Sequence, residues 1–261
     1  MSPETSTRTA ANGTVPVRNL KSDHRWQNAG HAVLFVILAL AAVQCARLGG
    51  AGLLVQTAAM EVERWTSASR SPSTSEINRA VRYYADSLHY AADNPWALEG
   101  LGALDLASMR ASKIPREALD ATKEAHLRFR QALIQRPTSP YLWANLALTK
   151  LYLDEIDDEF MTALRYANEF GPWEPATQQT TLFVGLAAWQ KLDLGLRQAL
   201  VQTIERGGLR DAQKMFDIVK SYGRFDLVCD MDKYKKLAAK NCNKAATAAN
   251  SGESAKGLSN L

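Results

Sequence analysis

The sequence predicts an all-α chain, with a single transmembrane helix near the N-terminus followed by an α-solenoid of helix pairs. Three observations lead there. Residues 29 to 46 form an apolar run without a charge. The remainder carries apolar residues at helical spacing, and no stretch alternates like a strand. Prolines recur at the ends of units of similar length, as expected of a repeated helix pair.

Residues 1 to 28 are rich in Ser, Thr, Asn and Pro with little to bury, so a disordered segment is expected. The stretch AGHAVLFVILALAAVQCA (Ala29 to Ala46) follows, with His31 and Gln44 its only polar residues. A spanning helix needs about 17 to 25 residues, which puts this run at the short end. Arg47 either ends the span by snorkelling or is tolerated in a helix that continues through RLGGAGLLVQ. The glycines of GGAG at 49 to 52 are expected to loosen the juxtamembrane chain, and residues 29 to 57 are read as anchor plus juxtamembrane segment. A lipoprotein box needs a small residue before its cysteine, but Gln44 precedes Cys45. Arg18, Lys21 and Arg25 precede the span, against Arg47 and Arg64 after it. The excess of positive charge puts the N-terminus in the cytoplasm and the body, in a Gram-negative cell, in the periplasm. Ala42, Ala46 and Gly50 fall four apart, a weak helix-pairing pattern.

Residues 58 to 244 are read as one helical domain, and residues 245 to 261 as a disordered small-residue tail. Ser73 and Glu76 open the first helix as a capping box. Asn94-Pro95 ends it, Pro115 opens the third helix and Pro137 follows that helix. Further pairs are read in SPYLWANLALTKLYLDE with DDEFMTALRYANEFGP, then PATQQTTLFVGLAAWQKLD, LGLRQALVQTIERG and LRDAQKMFDIVKSYG as three separate helices. Leu98, Leu101 and Gly102, then Ala125, Phe129, Ala132 and Pro137, match the tetratricopeptide (TPR) pattern, with a longer connection between. Trp143, Leu146 and Ala147, then Phe160, Leu164, Ala167 and Pro172, match it again. Small residues at these places let two helices approach closely, while aromatics fill the space between units.

The chemistry of the common enzymes is missing from the sequence. The formal charge is +4, but the first 47 residues hold five basic and two acidic residues, leaving 26 basic and 25 acidic in the rest. No basic face suited to nucleic acid is visible. The four histidines fall in no metal or nucleophile motif, and EGLG lies on a helix. DEIDDE at 154 to 159 is read as a solvated turn, since it lacks the glycine and spacing of a calcium loop. No catalytic, cofactor-binding or metal-ligating residues are assigned, and the chain is read as a non-enzyme without cofactors. Cys229 and Cys242 are either a disulfide stapling the C-terminal helices or two free thiols.

Aromatic weight near the ends of units supplies the candidate partner-binding residues: Trp96, Tyr141, Trp143, Trp173 and Trp189. Each serves either inter-unit packing or as a rigid anchor for a peptide or sugar chain. With one apolar helix, degenerate repeats and ALRYANEFGPWEP, the chain resembles membrane-anchored TPR-like accessory proteins of bacterial exopolysaccharide clusters. GPWEP (Gly171 to Pro175) is also similar to elements in repeat tails of O-antigen-ligase-type proteins, whose many membrane spans this chain lacks. The resemblance implies a single-pass inner-membrane scaffold whose periplasmic repeats hold polysaccharide polymerase, export or modification components together. A glycan- or peptide-binding module and a general envelope or division TPR protein are the alternatives.

Overall fold

The structure is a computed structural model and describes residues 21–67 and 72–250; among them every regular element is a helix. The predicted disorder of residues 1 to 20 and 251 to 261 lies outside the described residues. Where the two overlap, the readings are corrected. Helix α1 (Lys21–Ser67) begins before residue 28, and the last helix runs to Asn250, beyond residue 244.

Helix α1 contains one segment long and apolar enough to cross a membrane, with a mean hydropathy of 2.1 and nothing buried. Residues 28 to 49 are exposed on every face. Gly49, Gly50 and Gly52 do not interrupt the helix, contrary to the loosening expected of GGAG. Their open surroundings and the good helix formers on either side keep the hydrogen-bond ladder intact. From Ala51 onward one face is buried: Ala51, Ala58, Glu61 and Trp65 recur at helical spacing. The compact body therefore includes residues 48 to 57, ahead of the boundary expected at 58.

That stripe packs on α2 (Thr74–Tyr90) and α3 (Pro95–Ala111) through Ala80, Tyr84, Ala97, Leu101 and Leu104. Ser87 Oγ donates to the Ala51 carbonyl at 3.0 Å, and Asn94 Nδ2 donates to Ser87 Oγ at 3.0 Å. Buried Glu61 is neutralised by Arg64 at 2.6 Å and Arg79 at 2.5 Å. The capping box of Ser73 and Glu76 is present at the start of α2.

Three hairpins follow. Helix α3 packs on α4 (Pro115–Gln135), α5 (Pro140–Tyr152) on α6 (Asp158–Phe170), and α7 (Pro175–Ala187) on α8 (Leu194–Ser221). Neighbouring hairpins touch through α4 with α5 and α5 with α7. Phe129, Leu146, Phe160, Leu164, Val184 and Leu200 form one continuous core through them. The small residues named above do bring the helices close: a Cβ on Gly102 would stand 2.8 Å from the ring of Phe129.

The joints that lead into the three hairpins share one hydrogen-bond pattern. The amide of Ala91, Arg136 or Gly171 closes the preceding helix on Ser87, Ala132 or Ala167. Three residues later Asn94, Ser139 or Glu174 donates back to that same capping residue, and a proline opens the next helix. The proline lacks a donor where the helix has none to satisfy, and its φ is already helical. EFGPWEP is thus the third copy of a joint that DNPW and RPTSPY make first, and the second and third copies are thirty-five residues apart.

The last region departs from the sequence reading. LGLRQALVQTIERG and LRDAQKMFDIVKSYG are joined in α8, and the break lies at Asp211 (φ −146°, ψ 81°), not at Gly207–Gly208. Asp211 Oδ1 accepts the Lys214 amide at 2.9 Å, so it caps the second half where it leaves helical geometry. Close packing uses the glycines instead, Gly207 under Met215 and Gly208 under Tyr234. Tyr234 Oη donates to the Ile204 carbonyl at 2.7 Å. Cys229 and Cys242 are disulfide-bonded, tying α9 (Lys235–Asn250) to the turn before it.

Candidate functional site

Four of the five candidate aromatics lie at or beside the joints, Trp189 lies in the turn between α7 and α8, and the five do not converge on one cavity. Trp96, just inside the first joint, is exposed on one face and covered on the other by Arg136, whose Cζ lies 3.5 Å from the ring centroid. Arg136 also meets Glu99 at 2.5 Å, so a cation is held between an indole and a carboxylate. Tyr141 opens the second unit and donates to Glu174 Oε2 at 2.9 Å, bridging the second and third joints. Burial, this hydrogen bond and the nearby negative charges of Glu174 and Glu99 raise the Tyr141 pKa above its ordinary value. The tyrosine therefore stays a donor.

Trp143 is packing with a polar tether. Its Nε1 donates to the Pro137 carbonyl at 2.7 Å, and its ring lies 5.0 Å from Tyr166, which stacks on Phe170 at 5.3 Å. Trp189 lies in a 3-10 turn, Trp189–Lys191, between Arg224 at 4.2 Å and Arg197 at 5.6 Å. Arg197 Nε donates to the Trp189 carbonyl at 3.2 Å.

Trp173 differs from the others. Exposed like Trp96, it also forms one wall of an open groove of about 350 Å³, with Gln178, Arg206, Leu209 and Arg210. Gln178 Nε2 and Arg206 Nε both donate to the Pro172 carbonyl, at 2.7 and 3.1 Å. The Arg206 guanidinium lies 6.0 Å from the Trp173 ring. Sequence reasoning missed Gln178, Arg206, Leu209 and Arg210. A usable signal was present: the two arginines are four apart on α8, with no acidic residue three or four positions from either.

The DEIDDE segment is a solvated turn between α5 and α6, as expected, and it also holds a buried cation. Lys150 is only 4% exposed and its Nζ meets Glu155 at 2.5 Å, Asp157 at 2.6 Å and Glu159 at 3.6 Å. Desolvation lowers the ammonium pKa, but hydrogen bonds to Asp157 and Glu155 outweigh it and leave the value raised. Asp157 is held below the usual carboxylate range: burial opposes this, and the Lys150 and Phe160 hydrogen bonds prevail. The turn wraps one buried cation, with Asp154 in the left-handed region at φ 58°. His126 lies beside it, Nδ1 at 3.2 Å from Thr149 Oγ1 and Nε2 at 3.7 Å from Glu159, and burial lowers its pKa.

These charged clusters are joined by ion pairs, and the Thr149 hydroxyl beside His126 is buried and donates to the Leu146 carbonyl at 2.7 Å. Among the described residues no group of His, Cys, Asp and Glu side chains is arranged to hold a metal ion. Exposed Trp96 and Trp173 and their neighbouring arginines lie at helix joints. No protein-family model matches the chain, and comparison with curated proteins finds no similar sequence.

Proposed function

We propose that this chain is a non-enzymatic scaffold, anchored by α1 in a bacterial inner membrane, whose TPR-like repeats support assembly of an exopolysaccharide biosynthesis or export machinery. The repetition of one backbone joint at Asn94, Ser139 and Glu174 carries the reading, because it argues for stacked units presenting an extended surface. The exposed apolar segment of α1 supports an anchor, and the basic residues ahead of it support a cytoplasmic N-terminus with the body in the periplasm. The Cys229–Cys242 bond fits an oxidising compartment. The partners are other membrane proteins of the assembly.

Tagged full-length protein, extracted in mild detergent, is expected to retain membrane components of a polysaccharide machinery. Recovery no better than that of a variant with surface substitutions across all three joints would sink the scaffold reading. Alkaline phosphatase fused after residue 190 is expected to be active. An inactive fusion of normal abundance would reverse the orientation.

A further inference from the structure

The second and third joints have the same backbone but different fillings. Their capping residues, Arg136 and Gly171, are thirty-five residues apart, which makes Gln178 the counterpart of Trp143 and Trp173 that of Thr138. The N-caps Asp157 and Asp193 are thirty-six apart, making Gln202 and Arg206 the counterparts of Tyr166 and Phe170. At the second joint Trp143, tilted against Tyr166, and Phe170, stacked on Tyr166, occupy the space between helices. At the third joint all three are replaced by hydrogen-bonding side chains. One interaction survives: Gln178 Nε2 donates to the Pro172 carbonyl at 2.7 Å, as Trp143 Nε1 donates to Pro137 at 2.7 Å. The joint is thus held while its aromatic filling is absent, and the space is the open groove beside Trp173.

Among the described residues no carboxylate pairs with the arginines of that groove. Arg206 donates only to neutral acceptors: the Pro172 carbonyl at 3.1 Å, Thr203 Oγ1 at 3.4 Å and Gln202 Oε1 at 3.5 Å. Arg210, one turn along the same face, makes no ion pair among the described residues and is exposed. A guanidinium fork matches the geometry of a carboxylate, and a flat exposed indole matches the apolar face of a ring. Main-chain recognition of a peptide is poorly served, because no strand edge is present among the described residues and the Pro172 carbonyl already accepts two donors.

We propose that the groove formed by Trp173, Gln178, Arg206 and Arg210 binds a carboxylate-bearing sugar of the uronic-acid type. The ring stacks on Trp173, the carboxylate pairs with the two arginines, and the Gln178 amide faces the hydroxyls. The site is independent of the scaffold reading: either can fail alone, since one is read by ligand titration and the other by co-purification.

The test titrates tetragalacturonate into full-length protein in detergent, following calorimetry and tryptophan fluorescence. A carboxyl-reduced tetrasaccharide and a tetraglutamate peptide serve as comparisons. Binding of the acidic sugar is expected, weakening as salt rises. Trp173→Ala and Arg210→Gln should each weaken it by about tenfold or more, with unchanged helical circular dichroism. Arg210 makes no contact on which folding depends, so its substitution keeps the test decisive if Arg206→Gln disturbs the joint. Equal binding of the neutral sugar, tighter binding of the peptide, or unaltered affinity in both variants would each overturn the proposal, as would no binding by the unsubstituted protein.

Discussion

Gly102 of α3 lies directly against the ring of Phe129 of α4, so closely that an added Cβ would stand 2.8 Å from Cε1 and 2.9 Å from Cζ. Phe129 is wholly buried and cannot swing aside. Gly102→Ala is therefore expected to destabilise the protein by about 2 kcal/mol through overpacking, despite the better helix propensity of alanine. Urea unfolding followed by circular dichroism measures the loss. Introducing Phe129→Leu into the Gly102→Ala background should cost less than it does alone, and strictly additive effects would show that the two side chains do not meet.

The cage around Lys150 predicts a ranked series. Lys150→Ala removes both the buried stem and the charge that Glu155, Asp157 and Glu159 share, and should cost about 2 kcal/mol. Lys150→Met keeps the stem and should cost about half as much, because the partner carboxylates reach water and tolerate the loss of a cation. Equal melting temperatures for the two variants would remove the packing contribution from this account.

Asp105 is lifted to about 6 by burial, although Arg128 lies 3.1 Å away and opposes the rise. A carboxyl raised above its unfolded value favours the folded state below about pH 4, and that contribution is lost as pH climbs through about 6. Asp105→Asn does not titrate. Its stability relative to the unsubstituted protein should rise by on the order of 1 kcal/mol between pH 4.5 and 7.5, less than the full shift implies, since the carboxylate is partly solvated. A pH-independent difference between the two unfolding curves would refute the assignment.

The disulfide closes a short loop, with a sequence separation of 13, around the residues that lead into α9. Reduction, or Cys229→Ser with Cys242→Ser, should destabilise this end by about 3 kcal/mol. Limited proteolysis with mass spectrometry is the direct readout, with new cuts expected first between residues 225 and 245. Cleavage spread evenly through α3 to α7 would instead make the bond a support for the whole body.

Much of the architecture was legible because it rests on local rules. The prolines at 95, 115, 140 and 175 each open a helix, the Ser73–Glu76 box caps one, and Gly102, Phe129 and Phe160, singled out by their spacing, are all buried. The failures have a different physical origin. Gly207–Gly208 read as a stop, yet tertiary contacts with Met215 and Tyr234 need the absence of side chains there, and the break moves to Asp211, which can cap itself. The burial of Lys150 depends on three carboxylates folding back over it, which composition shows only as an acidic run. Trp173 stood out by its type and its place at the end of a unit. The arginines that give it a chemical setting lie some thirty residues away and meet it only through the packing of α7 on α8.

The backbone bonds at Ala91, Arg136 and Gly171 make the joint an interchangeable coupling. Since main-chain groups close the turn, the side chains around it are free to diverge without changing how one unit meets the next. A single chain can then keep one coupling sealed with stacked rings and leave another open and cationic. Specificity at such a surface can be rewritten one coupling at a time, with the spacing of the units held constant.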